Sequence, residues 1–285
     1  MTMRKSIVRP LILLAALVFM YAPILILALY SFTDATQIGA IRGFSMHNYV
    51  TLFTTPELTS MIAGTITLAL GSAVIATILG TMGAIGAFYS KKNVSAFITT
   101  LNQVPVINAD VVTGFSICVL LVVALGISKD SYIPLLAGHV TLCAPFVFLS
   151  VMPRIKQMDS SIYEAALDLG ATPVKALFEI LIPQIIPGII SGFSLAVTLS
   201  LDDYFIAMYT KPATFDTIST YVVNATKGAQ TTIKTALWAL STVIFLIVVL
   251  VVLLSNFSVI LENVRKKKGK KKKKGHLEKG GSRAG

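Results

Sequence analysis

The chain has 285 residues, of which 55% are hydrophobic and only 13% charged, with a mean hydropathy of +0.79. Charged residues are about half as frequent as in soluble domains, which excludes an ordinary soluble enzyme and points to a membrane protein. The formal charge of +11 does not mark a nucleic-acid-binding face, because residues 265–285 hold eleven Lys/Arg against one Glu and the rest of the chain is nearly neutral. In chain order, six segments of about 20 or more apolar residues stand out as candidate membrane helices. They cover roughly 11–32, 60–89, 95–127, 131–151, 185–208 and 235–261.

The first segment follows Arg4, Lys5 and Arg9. Its apolar run is too long for a signal peptide and no small-residue cleavage site follows, so it reads as a retained span. The third segment is too long for one simple crossing. Pro105 and the polar run Asn108, Ala109, Asp110 interrupt it, which predicts a bent or broken helix inside a bundle or beside a cavity. Small residues recur where helices should touch: Ala76, Gly80 and Ala84 in the second span, Gly188 and Gly192 in the fifth.

Basic residues fall before the first span, after the second (Lys91, Lys92), after the fourth (Arg154, Lys156) and after the sixth. The positive-inside rule then places both termini in the cytoplasm. Cys118 and Cys143 lie in apolar runs without paired spacing and read as small hydrophobes. The three histidines are scattered, and no phosphate-binding loop, nucleophile elbow or zinc-protease motif occurs, so the chain is expected to bind no metal or cofactor and not to hydrolyse ATP itself.

Between spans four and five lies a polar insert, SSIYEAALDLGATPVKALFEILIP. Ser161 and Glu164 have capping-box spacing. Ile162, Ala165, Ala166 and Leu169 then form one apolar face, and Glu164 and Asp168 a polar one. Gly170 is placed to stop the helix, Thr172 and Pro173 to start another, and Pro183 to close the unit. Val174, Leu177, Phe178 and Leu181 repeat the apolar spacing. Two helices this short need something to pack on.

Acidic residues mark the spans as well. Asp202 and Asp203 lie in SLDDYF, and Asp110 at the break in the third span. An ionised side chain in the bilayer costs several kcal/mol unless paired or hydrated, and no Lys or Arg of these spans lies near them in sequence. A cationic cargo would complement them. Adjacent helical residues point about 100° apart, so one of Asp202 and Asp203 should line a path and the other bond to a neighbour. Tyr204 and Trp238 could offer ring faces to an ammonium, or serve as interfacial anchors.

The insert resembles the EAA loop of ABC importer permeases. Glu164, Ala165, Ala166, Gly170, Ile180 and Pro183 match its pattern, with Ile182 where that family usually has Leu. Further likeness to the second permease subunit of spermidine/putrescine importers runs over about residues 10–262. It is carried by Tyr21, Pro23, Ile24, Ser31 and Phe32, by His139 through Val147 with Arg154, Lys156 and Asp159, and by Ser200, Asp202 and Asp203. The resemblance implies an all-α membrane protein with six transmembrane helices, in the MetI-like fold of type I ABC importer permeases. It implies a permease domain over 1–264 with a cytoplasmic coupling loop at about 152–184. The Lys-rich run over 265–285 departs from the family pattern; as a like-charge run it is expected to be a disordered cytoplasmic tail able to touch anionic lipid. The implied partners are a homologous permease subunit, two ATP-binding subunits and an extracytoplasmic polyamine-binding protein, with no nucleic acid. Glu164, Ala165, Ala166 and Gly170 would couple to the ATPase, while Asp202, Asp203 and Asp110 would meet the cargo. A permease for another small solute fits the loop equally. A stand-alone carrier explains the spans and acids but not the loop, and lacks the internal repeat common in such carriers.

Overall fold

A computed structural model describes residues 2–33, 43–227 and 236–253. The basic tail and the last part of the sixth expected span lie outside the described residues. Helix α1 (Thr2–Ser31) is followed by the short α2 (His47–Thr54) and the long α3 (Pro56–Tyr89). Then come α4 (Lys92–Ile107), α5 (Asp110–Cys118), α6 (Ile133–Gln157), α7 (Ser160–Asp168), α8 (Pro173–Ala176) and α9 (Ile182–Asp202). The short α10 (Phe205–Thr210), α11 (Ile218–Lys227) and an apolar helix α12 (Ala236–Leu253) complete the described chain. Among the described residues, five helical segments are long and apolar enough to cross a membrane.

The third expected span is broken, as Pro105 and the polar run suggested. Helices α4 and the α5 arm, which continues to Ala124 as a wider π-helical turn, meet at 103° across Asn108 and Ala109. An arm of sixteen residues rises about 24 Å, short of a hydrocarbon core of about 30 Å. This segment is therefore a bent pair and counts as a sixth span only if its two arms are taken together.

Helices α3, α6 and α9 form the centre. Ala69, Ala73, Ala76, Ala84 and Ala87 of α3 are buried against Val147, Phe148 and Val151 of α6, with Ile185, Ala196 and Val197 of α9. The glycines permit this closeness. A Cβ on Gly80 would sit 2.7 Å from the Ala144 carbonyl, and one on Gly192 would sit 3.1 Å from Val147 Cα. Several hydroxyls within the spans bond back along their own helices, as Thr65 does to Met61 O and Ser150 to Phe146 O, whereas buried Thr81 Oγ1 has no partner among the described residues. A second cluster of Leu52, Leu58, Met61, Ile218, Leu237 and Leu240 joins α2, α11 and α12 to the start of α3. The apolar window of α1 buries none of its residues and touches this unit near its end, where Tyr30 meets Trp238 edge-on at 5.4 Å.

Two expectations at the polar insert are corrected. The cap of α7 is Asp159, whose Oδ1 accepts from Ser161 N at 3.0 Å, and not the Ser161–Glu164 box. Carboxylates cap as well as hydroxyls, and Asp159 stands where the chain is still extended. Pro183 does not end the second helix. Residues Pro173–Asp202 run as one 30-residue helix. Proline lacks an N–H and its ring clashes with the carbonyl four residues back. Just before it, Leu177–Leu181 adopts a π-turn in which Ile182 N reaches Leu177 O, and this wider turn accommodates the ring. The fifth span consequently begins earlier than residue 185 and stops at Asp202 instead of 208.

Candidate functional site

The chain presents two unusual regions, at opposite ends of the Pro173–Asp202 helix. The first is the α7–α8 elbow. Gly170 has φ +86°, its N–H bonds to Leu167 O (2.9 Å), and Ala171 N bonds to Ala166 O (3.0 Å). This double closure is a Schellman stop, available to glycine because no Cβ opposes positive φ. Thr172 Oγ1 then accepts from Lys175 N, with Pro173 in the first turn. Ser161 donates to Asp159 and holds its carboxyl below the usual range. The elbow is anchored through Tyr163, whose ring lies 5.3 Å from Tyr89 at the end of α3, and through buried Ala166 and Ala176.

The expected apolar stripes divide: Ala166 and Leu181 are buried and Leu177 packs on the core. Leu169 is 89% exposed, and Ile162, Val174 and Phe178 are exposed beside it. Glu164 and Ala165 are exposed, Ala166 is covered, and Gly170 forms the stop between the helices. Four large apolar groups thus stand bare on a segment that is otherwise polar.

The second region is the corner after α9. Asp202 is the last helical residue and is exposed; Asp203 continues in extended conformation (φ −65°, ψ 127°) and is buried. The helix ends between them, so the two carboxylates diverge. Asp203 Oδ1 accepts from Ile206 N at 3.2 Å and Oδ2 from Ala207 N at 2.8 Å, capping α10. His139 of α6 approaches the same Oδ2 through Nε2 at 3.7 Å. Among the described residues no Lys or Arg pairs with Asp203, which is held by backbone amides and faced by an imidazole. Asp202 instead lines a cavity of about 450 Å³ between α1, α9, α11 and α12, with Tyr204, Ser219 and Thr242 on its wall. Trp238 packs on Tyr30 and is not part of that wall.

Asp110 is exposed at the first position of α5. The Val112 and Thr113 amides after the break bond to Ala109 O and not to the Asp110 carboxylate. Helix α5 packs on α10, where Gly114 allows Ile206 to approach. Of the three acids named from sequence, only Asp202 lines the cavity. Sequence reasoning gave no site role to Ser72, His139 and Ser200, whose side chains form a buried polar chain behind Asp203.

Residues 76–266 match the family described as binding-protein-dependent transport system inner membrane component. The chain belongs to this permease family. Among proteins similar to it, the putrescine transport system permease protein PotI of Escherichia coli K12 is 38% identical over 210 residues, covering 70% of this chain and 73% of PotI. The spermidine/putrescine transport system permease protein PotC of Haemophilus influenzae is 29% identical over 238 residues, covering 84% of this chain and 91% of PotC. A bacterial ABC transporter involved in import of the acidic polysaccharide alginate contains a chain of like fold, with TM-score 0.68, 18% identity, and coverage of 90% of this permease and 98% of that chain. The permease is thus a multi-pass inner-membrane transport component of the MetI-like fold, not an enzyme.

Proposed function

We propose that this permease forms half of the translocation path of an ATP-driven polyamine importer and receives its drive through the α7–α8 elbow. Relatives named for putrescine and spermidine support the cargo. The single observation that carries it is Asp202: an exposed carboxylate lining a cavity of about 450 Å³, with no Lys or Arg in ion-pair contact among the described residues. That volume lies within the range of about 300–1,000 Å³ typical of small-molecule sites. A carboxylate there attracts a protonated amine and repels an anion, and Tyr204 beside it adds a ring face.

The bare apolar groups of the elbow support docking of a separate ATP-binding subunit, with Glu164, Ala165, Ala166 and Gly170 shaping the contact. Under the same reading both termini are cytoplasmic, the permease domain covers 1–264, and the elbow lies within a coupling segment of about 152–184. The tail over 265–285 is a solvated basic extension. A second permease subunit, two ATP-binding subunits and an extracytoplasmic polyamine-binding protein complete the importer.

Uptake of radiolabelled putrescine and spermidine by proteoliposomes holding the assembled complex tests this reading. Asp202→Asn should lower uptake at least tenfold while ATP hydrolysis continues. Undiminished uptake in that variant, or transport driven by an ion gradient without ATP, would overturn it.

A further inference from the structure

A buried polar chain crosses the three central spans and ends at the acidic corner. Ser72 Oγ of α3 lies 3.0 Å from Ser200 Oγ of α9, and Ser200 Oγ lies 2.8 Å from His139 Nδ1 of α6. His139 is fully buried, and its Nε2 has no hydrogen-bond partner; 3.7 Å beyond it stands Asp203 Oδ2. Ser72 Oγ also lies 3.2 Å from Ala69 O, to which it can donate; with Ser200 donating to Nδ1, the ring N–H sits on Nε2 and is aimed at the carboxylate. A residue that only filled space here would be apolar. This one spends half its ring on α9 and turns the other half toward the corner.

The corner has few other ties. Asp203 caps α10 within its own stretch, and Ile206 wedges between Gly114 and Gly138. From the remaining elements the polar groups that reach it are His139 and Ser219, whose hydroxyl donates to Leu201 O. Because α9 stops at Asp202, the direction of that side chain depends on how Asp203 is held. We propose that His139 is a positioning residue: by facing Asp203 from α6 it fixes the 202–204 corner and aims the Asp202 carboxylate into the cavity. The inference rests on the reading of Asp202 as a path residue, but its test does not use the cargo.

The test places a cysteine at the corner, Asp202→Cys, in the complex with Cys118 and Cys143 replaced by alanine. The rate of modification by a small cationic thiol reagent is measured in proteoliposomes. A second cysteine, Val174→Cys at the elbow, serves as reference. His139→Leu should slow modification at 202 at least fivefold and leave 174 unchanged. His139→Asn, which reaches Ser200 but not Asp203, should behave like the leucine variant and carries the test if that one fails to assemble. His139→Gln, whose longer amide reaches Asp203, should restore the rate to within twofold. Equal rates at 202 in all variants, or parallel changes at 202 and 174, would overturn the inference. Should modification shift as expected while Asp202→Asn leaves uptake intact, the positioning stands and the path reading falls. Should modification stay constant while Asp202→Asn abolishes uptake, the reverse holds.

Discussion

Gly170→Ala isolates the conformational term at the elbow. No atom lies within 4 Å of where the new Cβ would sit, so the substitution meets no steric obstacle. What remains is the backbone: φ is +86°, a region that costs an L-residue about 1–2 kcal/mol. The bonds at stake are Gly170 N to Leu167 O and Ala171 N to Ala166 O. A loss of that size multiplies the local opening constant by roughly 5–30. Hydrogen exchange resolved to the 165–172 segment in the reconstituted complex should rise by that factor, with exchange in the α3–α6–α9 centre unchanged. Gly170→Asn should lie between glycine and alanine, because asparagine tolerates the left-handed region. If alanine leaves the exchange unchanged, or proves milder than asparagine, the assignment of Gly170 as a conformational stop is wrong. If the elbow also transmits force, ATP hydrolysis should persist in Gly170→Ala while uptake per ATP falls.

Gly80→Ala should cost about 1–3 kcal/mol, since its Cβ would meet the Ala144 carbonyl and Val147 at 2.7 Å and force α3 from α6. Gly83→Ala, whose nearest neighbour is Phe148 at 3.6 Å, should be tolerated. Thermal melts of the two purified variants in detergent compare them directly. Asp159 has a folded pKa held below its unfolded value, so its cap is present above about pH 3.9 and is lost as pH falls through the lower, folded value. Protection of the Ser161 amide, corrected for intrinsic exchange, should fall in that acid window in the parent, and Asp159→Asn should remove the dependence.

Much of the architecture was legible because its causes are local. Pro105 and the Asn108–Asp110 run forecast a break, since a missing donor and three poorly apolar residues cannot continue a lipid-facing helix. Gly80 and Gly192 forecast close packing, but not that both would face α6. The errors came where long-range or subtle backbone geometry decides. Proline at 183 reads as a stop, and sequence does not show that a single wide turn can absorb it. The apolar spacing marks Ile162, Ala165, Ala166 and Leu169, then Val174, Leu177, Phe178 and Leu181; of these Ala166 and Leu181 are buried, whereas Ile162, Leu169, Val174 and Phe178 are bare. Spacing defines a stripe without saying which partner it meets. His139 entered only as part of the fourth-span likeness and as one of three scattered histidines weighed as metal ligands, and received no site role. A lone polar ring in an apolar span needs a partner, and that requirement alone could have directed attention to Ser200 and Asp203.

The continuity of Pro173–Asp202 has a mechanical consequence. The elbow and the acidic corner are the two ends of one 30-residue rod, about 45 Å long, so a displacement at the first becomes a tilt at the second. Rigidity is the condition. The π-turn at Leu177–Leu181 and Pro187 within the helix are the places where bending could absorb the motion. Spin labels at Val174→Cys and Leu195→Cys, both exposed positions, span 21 residues and should lie about 30 Å apart. In the complex lacking Cys118 and Cys143, that distance should stay constant between nucleotide-free and ATP-bound states. The distance from 174 to a label at exposed Met82 on α3 should change. A shift of about 5 Å or more within the rod itself would mean that the helix yields at its weak turns, and force entering at the elbow would not reach Asp202 along this route.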